Sequence, residues 1–187
     1  MHVSLNSVPS ALRRCAHSIF LAITVATASL SAVAAESIAT PKTIAVMDFE
    51  LVDNTGETAK DAEQTARLAM ISQQLRQALA EHDLYTVVEN APALSLITEL
   101  ENRFALHDCN GCDVEIGRAL NTDRVLTGWV QKVSNLILNI NIQIRDVRTE
   151  KIVLNKSVDI RGNSDDTWRR GVRYMVRSMV ENSQGNS

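Results

Sequence analysis

The sequence predicts an α/β domain built on a mixed five-stranded sheet packed with helices, in the order β-α-β-α-α-β-β-β-α. Three observations lead there. Leu136, Leu138, Ile140, Ile142 and Ile144 alternate with Asn139, Asn141, Gln143 and Arg145, and such alternation marks a strand with one buried and one polar face. The early apolar runs TIAVMDF and LYTVVE are separated by segments of helical period, which favours parallel crossovers. The three runs after Arg124 are joined by tight turns, which favours an antiparallel meander with helices on one or both faces.

Taken in order, residues 1–35 read as a secretory signal. Arg13 and Arg14 are basic, Ile19 to Val33 is uncharged and apolar, and small residues end the segment at Ala34 and Ala35. Cleavage there leaves residues 36–187 as one periplasmic domain that does not span the membrane. Cys15 precedes the apolar run, which argues against lipidation. The whole chain carries 19 Lys+Arg against 22 Asp+Glu, a net charge of -3. Removing Arg13 and Arg14 leaves 17 against 22, or -5. An acidic domain is a poor match for nucleic acid, whose phosphates need cationic partners. After export, Cys109 and Cys112 meet an oxidising compartment.

Thr43 to Phe49 is too short for a helix and reads as a buried strand. Leu51 to Thr58 carries Asp, Asn and Gly and reads as a loop. A long helix follows to about Glu81. Leu68, Ile71, Leu75 and Leu79 form its apolar stripe, and Ala62, Ala66 and Ala69 suit close packing on a sheet. Leu84 to Glu89 is the second strand. Asn90 is placed to cap the next helix, with Pro92 early and Ala93, Ile97, Leu100 and Phe104 as its buried stripe. Asp113 to Leu120 is a short helix, and the meander runs through 124–133, 136–145 and 152–160. Ser164 caps the last helix, where Asp165 and Asp166 suit the helix dipole. Trp168, Val172, Met175 and Met179 are its inner stripe.

The sharpest local feature is Cys109-Asn110-Gly111-Cys112. Asn-Gly favours a β-turn, which brings the two cysteines within disulfide reach. That pair reads as a structural disulfide or, near a helix start, as a redox dithiol. A metal set of His107, Cys109 and Cys112 falls short of the four ligands zinc usually takes. Asp48, Glu50 and Asp53 lie where the first strand ends, a position for a cation or for a solvated loop. His82 and His107 lie outside any hydrolase motif, and Gly-rich phosphate loops are absent, so no catalytic residue, metal site or cofactor is assigned.

Two surfaces suit a partner. One is the polar sheet face of Trp129, Gln131, Asn139, Asn141, Gln143 and Arg145. The other is the last helix, where Arg169, Arg173 and Arg177 recur every four residues, suited to an acidic protein or lipid headgroups.

The strand IAVMDF, the strand LYTVVE and the stretch Arg118 to Gly128 before a β-meander resemble the amino-terminal domain of TolB and the periplasmic core of CsgG-like envelope proteins. The cysteine pair and GWVQKVSNLILN, Gly128 to Asn139, resemble a small group of secreted bacterial proteins. The first resemblance implies a binding or assembly role in the cell envelope, without catalysis, and supplies no catalytic residues. The second implies an association with quinoprotein alcohol oxidation. The chain departs from TolB in lacking a propeller, and from CsgG in lacking a pore segment and an anchor cysteine. The expected function is docking to another envelope or periplasmic protein. Thiol-disulfide exchange through Cys109 and Cys112, or an accessory role in alcohol oxidation, are the alternatives.

Overall fold

In the computed structural model, residues 40–55 and 62–184 are described, and they lie in one compact unit, Ala39–Ser187. The signal expected over residues 1–35 lies outside the described residues. The elements are β1 (Thr43–Val46), β2 (Glu50–Asp53), α1 (Ala62–Glu81), β3 (Thr86–Val88), α2 (Leu94–Glu101), α3 (Cys112–Ala119), β4 (Arg124–Lys132), β5 (Ile137–Asp146), β6 (Ile152–Arg161) and α4 (Asp165–Gln184). Short 3₁₀ turns at Ala91–Ala93 and Leu106–Asp108 lead into α2 and α3.

The sheet is mixed, as expected, in the order β3-β1-β4-β5-β6, with β2 also paired to β4. The early strands are parallel and the last three form the antiparallel meander. The count is six and not five, because part of the expected loop Leu51 to Thr58 is strand. β1 pairs with the first part of β4, Ile44 opposite Arg124 through Val46 opposite Leu126. β2 pairs with the last part, Glu50 opposite Trp129 through Asp53 opposite Lys132. The two form one line along the same side of β4, with a break between them. At the break, Met47 N–H still donates to Leu126 O at 2.9 Å, while Phe49 N–H turns to Ser72 Oγ at 2.9 Å. The turn chemistry of Asp53, Asn54 and Gly56 concealed a strand that only the length of β4 supports.

Alternation along β4 and β5 sorts the core into two layers. Leu126, Val130, Leu138, Ile140, Ile142 and Ile144 pack against Ile71, Leu75 and Leu79 of α1 and Trp168, Val172, Met175 and Met179 of α4. On the opposite face Ala45, Met47 and Val125 pack against Ile97 and Leu100 of α2 and Val114 and Ile116 of α3. Burying these side chains contributes about 25 cal/mol per Å² of apolar area removed from water. Ser164 caps α4 through a reciprocal arrangement with Thr167: Ser164 N–H donates to Thr167 Oγ1 at 3.1 Å, and Thr167 N–H to Ser164 Oγ at 3.4 Å.

Four expectations fail locally. Ala62, Ala66 and Ala69 face solvent, since the sheet side of α1 is filled by the larger Ile and Leu. Phe104 is 44% exposed because α2 ends at Glu101, before the stripe reaches it. Leu136 is 73% exposed because it sits in the β4–β5 turn, ahead of the pleat that begins at Ile137. Asn90 makes no cap bond; its amide donates to Val46 O at 2.8 Å, tying the entry of α2 to the end of β1.

Gly128 lets the Phe49 ring lie flat on β4. An added Cβ would stand 2.6–2.9 Å from three atoms of that ring. Phe49 is buried, so the ring has little room to retreat. Gly128→Ala is expected to destabilise by about 1–3 kcal/mol, seen as a lower urea midpoint.

Asp146 closes the end of β5. Its Oδ1 accepts from Thr149 N–H at 2.7 Å, and Oδ2 meets the Arg124 guanidinium. The Thr149 backbone bond chiefly, with help from Arg124 and against the pull of desolvation, holds the carboxyl at about 2 instead of 3.8. A lowered carboxylate stabilises the fold above its unfolded value and loses that contribution as pH falls through the folded one. Wild type is therefore expected to lose stability between about pH 4 and about pH 2. In Asp146→Asn that component should vanish from melting curves recorded across the same range.

Candidate functional site

The polar side chains of β4, β5 and β6 form a lattice. The register places Gln131, Asn139 and Asp159 in one row, Trp129, Asn141 and Ser157 in the next, and Thr127, Gln143 and Asn155 in the third. Strands lie about 4.8 Å apart and same-face residues about 7 Å apart along a strand. α2 and α3 cover β1 and the start of β4, leaving the lattice partly open. Trp129, Gln131, Asn139, Asn141, Gln143 and Arg145 are all half-buried. The structure thus brings together the six sheet residues singled out in the sequence, on the face without the helices α1 and α4.

Two devices frame this lattice. Glu50 stands opposite Trp129 in the β2–β4 register. Its carboxylate accepts from Leu106 N–H at 2.8 Å and His107 N–H at 2.9 Å, and contacts His107 Nδ1 at 2.6 Å. The fixed imidazole stacks on Trp129, ring centres 5.2 Å apart at 25°. Glu50 and His107 therefore set the orientation of the one aromatic ring in the lattice.

The second device begins at the cysteine pair. Cys109 and Cys112 are joined by a disulfide, Cα atoms 5.6 Å apart, across Gly111 at φ 104°. Glycine suits this left-handed turn because it has no Cβ to clash. Cys112 opens α3, and the next residue, Asp113, is buried. Arg145 Nε donates to Asp113 Oδ2 at 2.6 Å, Nη1 to Glu150 O at 2.9 Å and Nη2 to Gln143 Oε1 at 3.1 Å. Arg145 is thus a bracket between α3, the β5–β6 turn and the lattice edge. Within the lattice Asn141 Nδ2 donates to Asn139 O at 3.2 Å, and Asn139 bonds Asp159.

The three acids after β1 diverge. Asp48 pairs with Arg76 at 2.8 Å, Glu50 holds the 106–107 turn, and Asp53 meets Lys132 at 3.1 Å. Bonds from Thr55, first its hydroxyl and then its N–H, keep the Asp53 carboxyl below 3.8. Among the described residues no group of three His, Cys, Asp or Glu side chains is arranged to hold a metal. His82 is exposed at the end of α1. Arg169, Arg173 and Arg177 are exposed on α4, across the sheet from the lattice. The pairing of Glu50 with His107, 57 residues apart, went unread because no local spacing encodes it.

This arrangement defines a mixed α/β domain whose open polar sheet face carries one oriented aromatic ring. The chain belongs to the DUF3280 family, described as "Protein of unknown function (DUF2380)", whose family model matches residues 42–180. No match is found among the curated proteins. Among solved structures it is similar to the LpoB C-terminal domain from Salmonella enterica, at 16% identity and TM-score 0.49, covering 67% of this chain and 87% of that one. It is similar to lipoprotein GNA1162 from Neisseria meningitidis at 22% identity and TM-score 0.45, covering 79% and 99%. It is also similar to TolB from Acinetobacter baumannii at 14% identity and TM-score 0.43, covering 79% of this chain and 30% of that one. Among the described residues no helix is long and apolar enough to cross a membrane.

Proposed function

We propose that the chain is a non-catalytic periplasmic binding protein, of the TolB-amino-terminal or CsgG-like kind, that docks another cell-envelope protein. The lattice around Trp129 and Asn141 is the docking surface. The observation that carries this reading is the row-by-row register of polar side chains on a partly open sheet face, with the amides of Gln131, Asn139, Asn141 and Gln143 half-buried, beside an aromatic ring held by its own support. Amides that both donate and accept, with a fixed indole, suit an adaptable protein contact. Central aromatic anchors commonly dominate such contacts.

Immobilised protein is expected to retain one envelope protein from a membrane and periplasmic extract, and Trp129→Ala/Asn141→Ala to retain far less. Equal retention by both would count against the lattice. The identity of the retained protein also decides whether the setting is a quinoprotein alcohol-oxidation system.

The redox alternative draws on one observation: Cys109 is only half-buried, with Cys112 at the first turn of α3. If exchange is the function, Cys109→Ser must abolish it without unfolding the chain, and a mixed disulfide must be trapped by Cys112→Ser.

A further inference from the structure

We propose that the outer face of the α1–α4 layer is a docking surface for an anionic phospholipid bilayer. This surface lies across the sheet from the polar lattice, and neither depends on the other.

The charge of α4 is sorted along its length. Asp165 and Asp166 occupy the first turn and are engaged, Asp165 by Arg67 at 2.7 Å and Asp166 by Arg170 at 2.6 Å. From there to Glu181 the helix carries no acid, while Arg169, Arg170, Arg173 and Arg177 are all exposed. Among the described residues Arg169, Arg173 and Arg177 form no ion pair. The chain as a whole is acidic, at -3, so a basic helix face does not follow from composition. Tyr174 stands among these arginines at 59% exposure. A tyrosine with an apolar ring and a polar tip suits a lipid–water boundary.

The neighbouring helix supplies the second observation. An exposed helix face ordinarily carries charges. The outward positions of α1 are instead Ala62, Ala66, Ala69, Gln73, Gln77 and Ala80, all exposed and uncharged. Of its flanking acids, Glu63 is paired with Arg67 at 3.2 Å, while Glu81 accepts from the neutral amide of Gln77 at 2.8 Å and keeps its charge. Between the two helices runs a groove of about 440 Å³ whose polar lining is Gln74, Gln77, His82, Arg173 and Arg177 with one acid, Glu81. The layer thus offers guanidinium groups beside a small, neutral surface with few acids to repel phosphate. A second copy of the chain would set arginine against arginine. A sheet of anionic headgroups matches the charge, and a helix of 20 residues, about 30 Å long, lies along it.

The test is vesicle co-sedimentation, using the protein as cells release it and with the same N-terminus in every variant. The expected result is binding to phosphatidylcholine vesicles containing phosphatidylglycerol, little binding to phosphatidylcholine alone, and weakening by salt. An arginine near an anionic surface contributes about fivefold, so R169Q/R173Q/R177Q should bind on the order of a hundredfold more weakly. Circular dichroism checks its fold. Ala66→Glu/Ala69→Glu, at exposed positions, gives an independent variant that should also lose binding. Equal binding to both vesicles, binding to neither, or undiminished binding by both variants would overturn the proposal. So would release of the vesicle-bound protein only by a soluble acidic protein and not by salt.

Discussion

Trp168→Ala is expected to cost about 3–5 kcal/mol, against a total of about 5–15 for a domain of this kind. The indole is fully buried in the first turn of α4, within the layer that includes Ile140, Val158 and Met175. Its Nε1 donates to Asn163 Oδ1 at 3.0 Å, and the same oxygen receives Arg67 Nη1 at 3.3 Å. Truncation therefore opens a cavity and removes one anchor of the β6–α4 turn. Trp168→Phe keeps most of the volume and loses the bond, and should cost about 1–2 kcal/mol. Urea melts that rank the two variants in the opposite order would show that α4 is held mainly by its cap and ion pairs.

Arg145→Met carries the second large effect. Its partner Asp113 has a side chain only 4% exposed. Removing the guanidinium leaves a carboxylate buried beside the core, a loss of about 3–5 kcal/mol where a buried pair is broken on one side. Replacing both, as Arg145→Met/Asp113→Leu, removes the unpaired charge and should recover most of that loss. If the double variant is no more stable than the single, the bonds from Arg145 to Glu150 O and Gln143 matter more than the pair with Asp113. The double variant also serves binding work, since any docking defect in Arg145→Met alone is confounded by a loosened α3.

The order of elements was readable because their signals are periodic. The alternation through β5 and the stripes of α1 and α4 each extend over ten residues or more. β2 was not readable: four half-buried residues have no period to detect, and pairing to β4 alone makes them a strand. The face of the α1 alanines was misjudged because alanine is small enough for either side of a helix, and the competing Leu and Ile filled the inner one. The six lattice residues were legible for the same reason as β5, since odd positions must share a face. Their framing was not. Glu50 with His107 and Asp113 with Arg145 are separated by 57 and 32 residues, and such pairs exist only once the sheet has assembled. The cysteine pair was visible as a turn next to Asp113, but its link to the lattice edge depends on α3 bringing Asp113 to Arg145.

The most direct test of the docking surface is photo-crosslinking in cells, with the reactive residue placed at position 141 in one strain and at position 173 in another. Capture of the same envelope protein from position 141, and not from position 173, is the predicted result. Capture from position 173 with none from position 141 would contradict it and place protein docking on the helical layer.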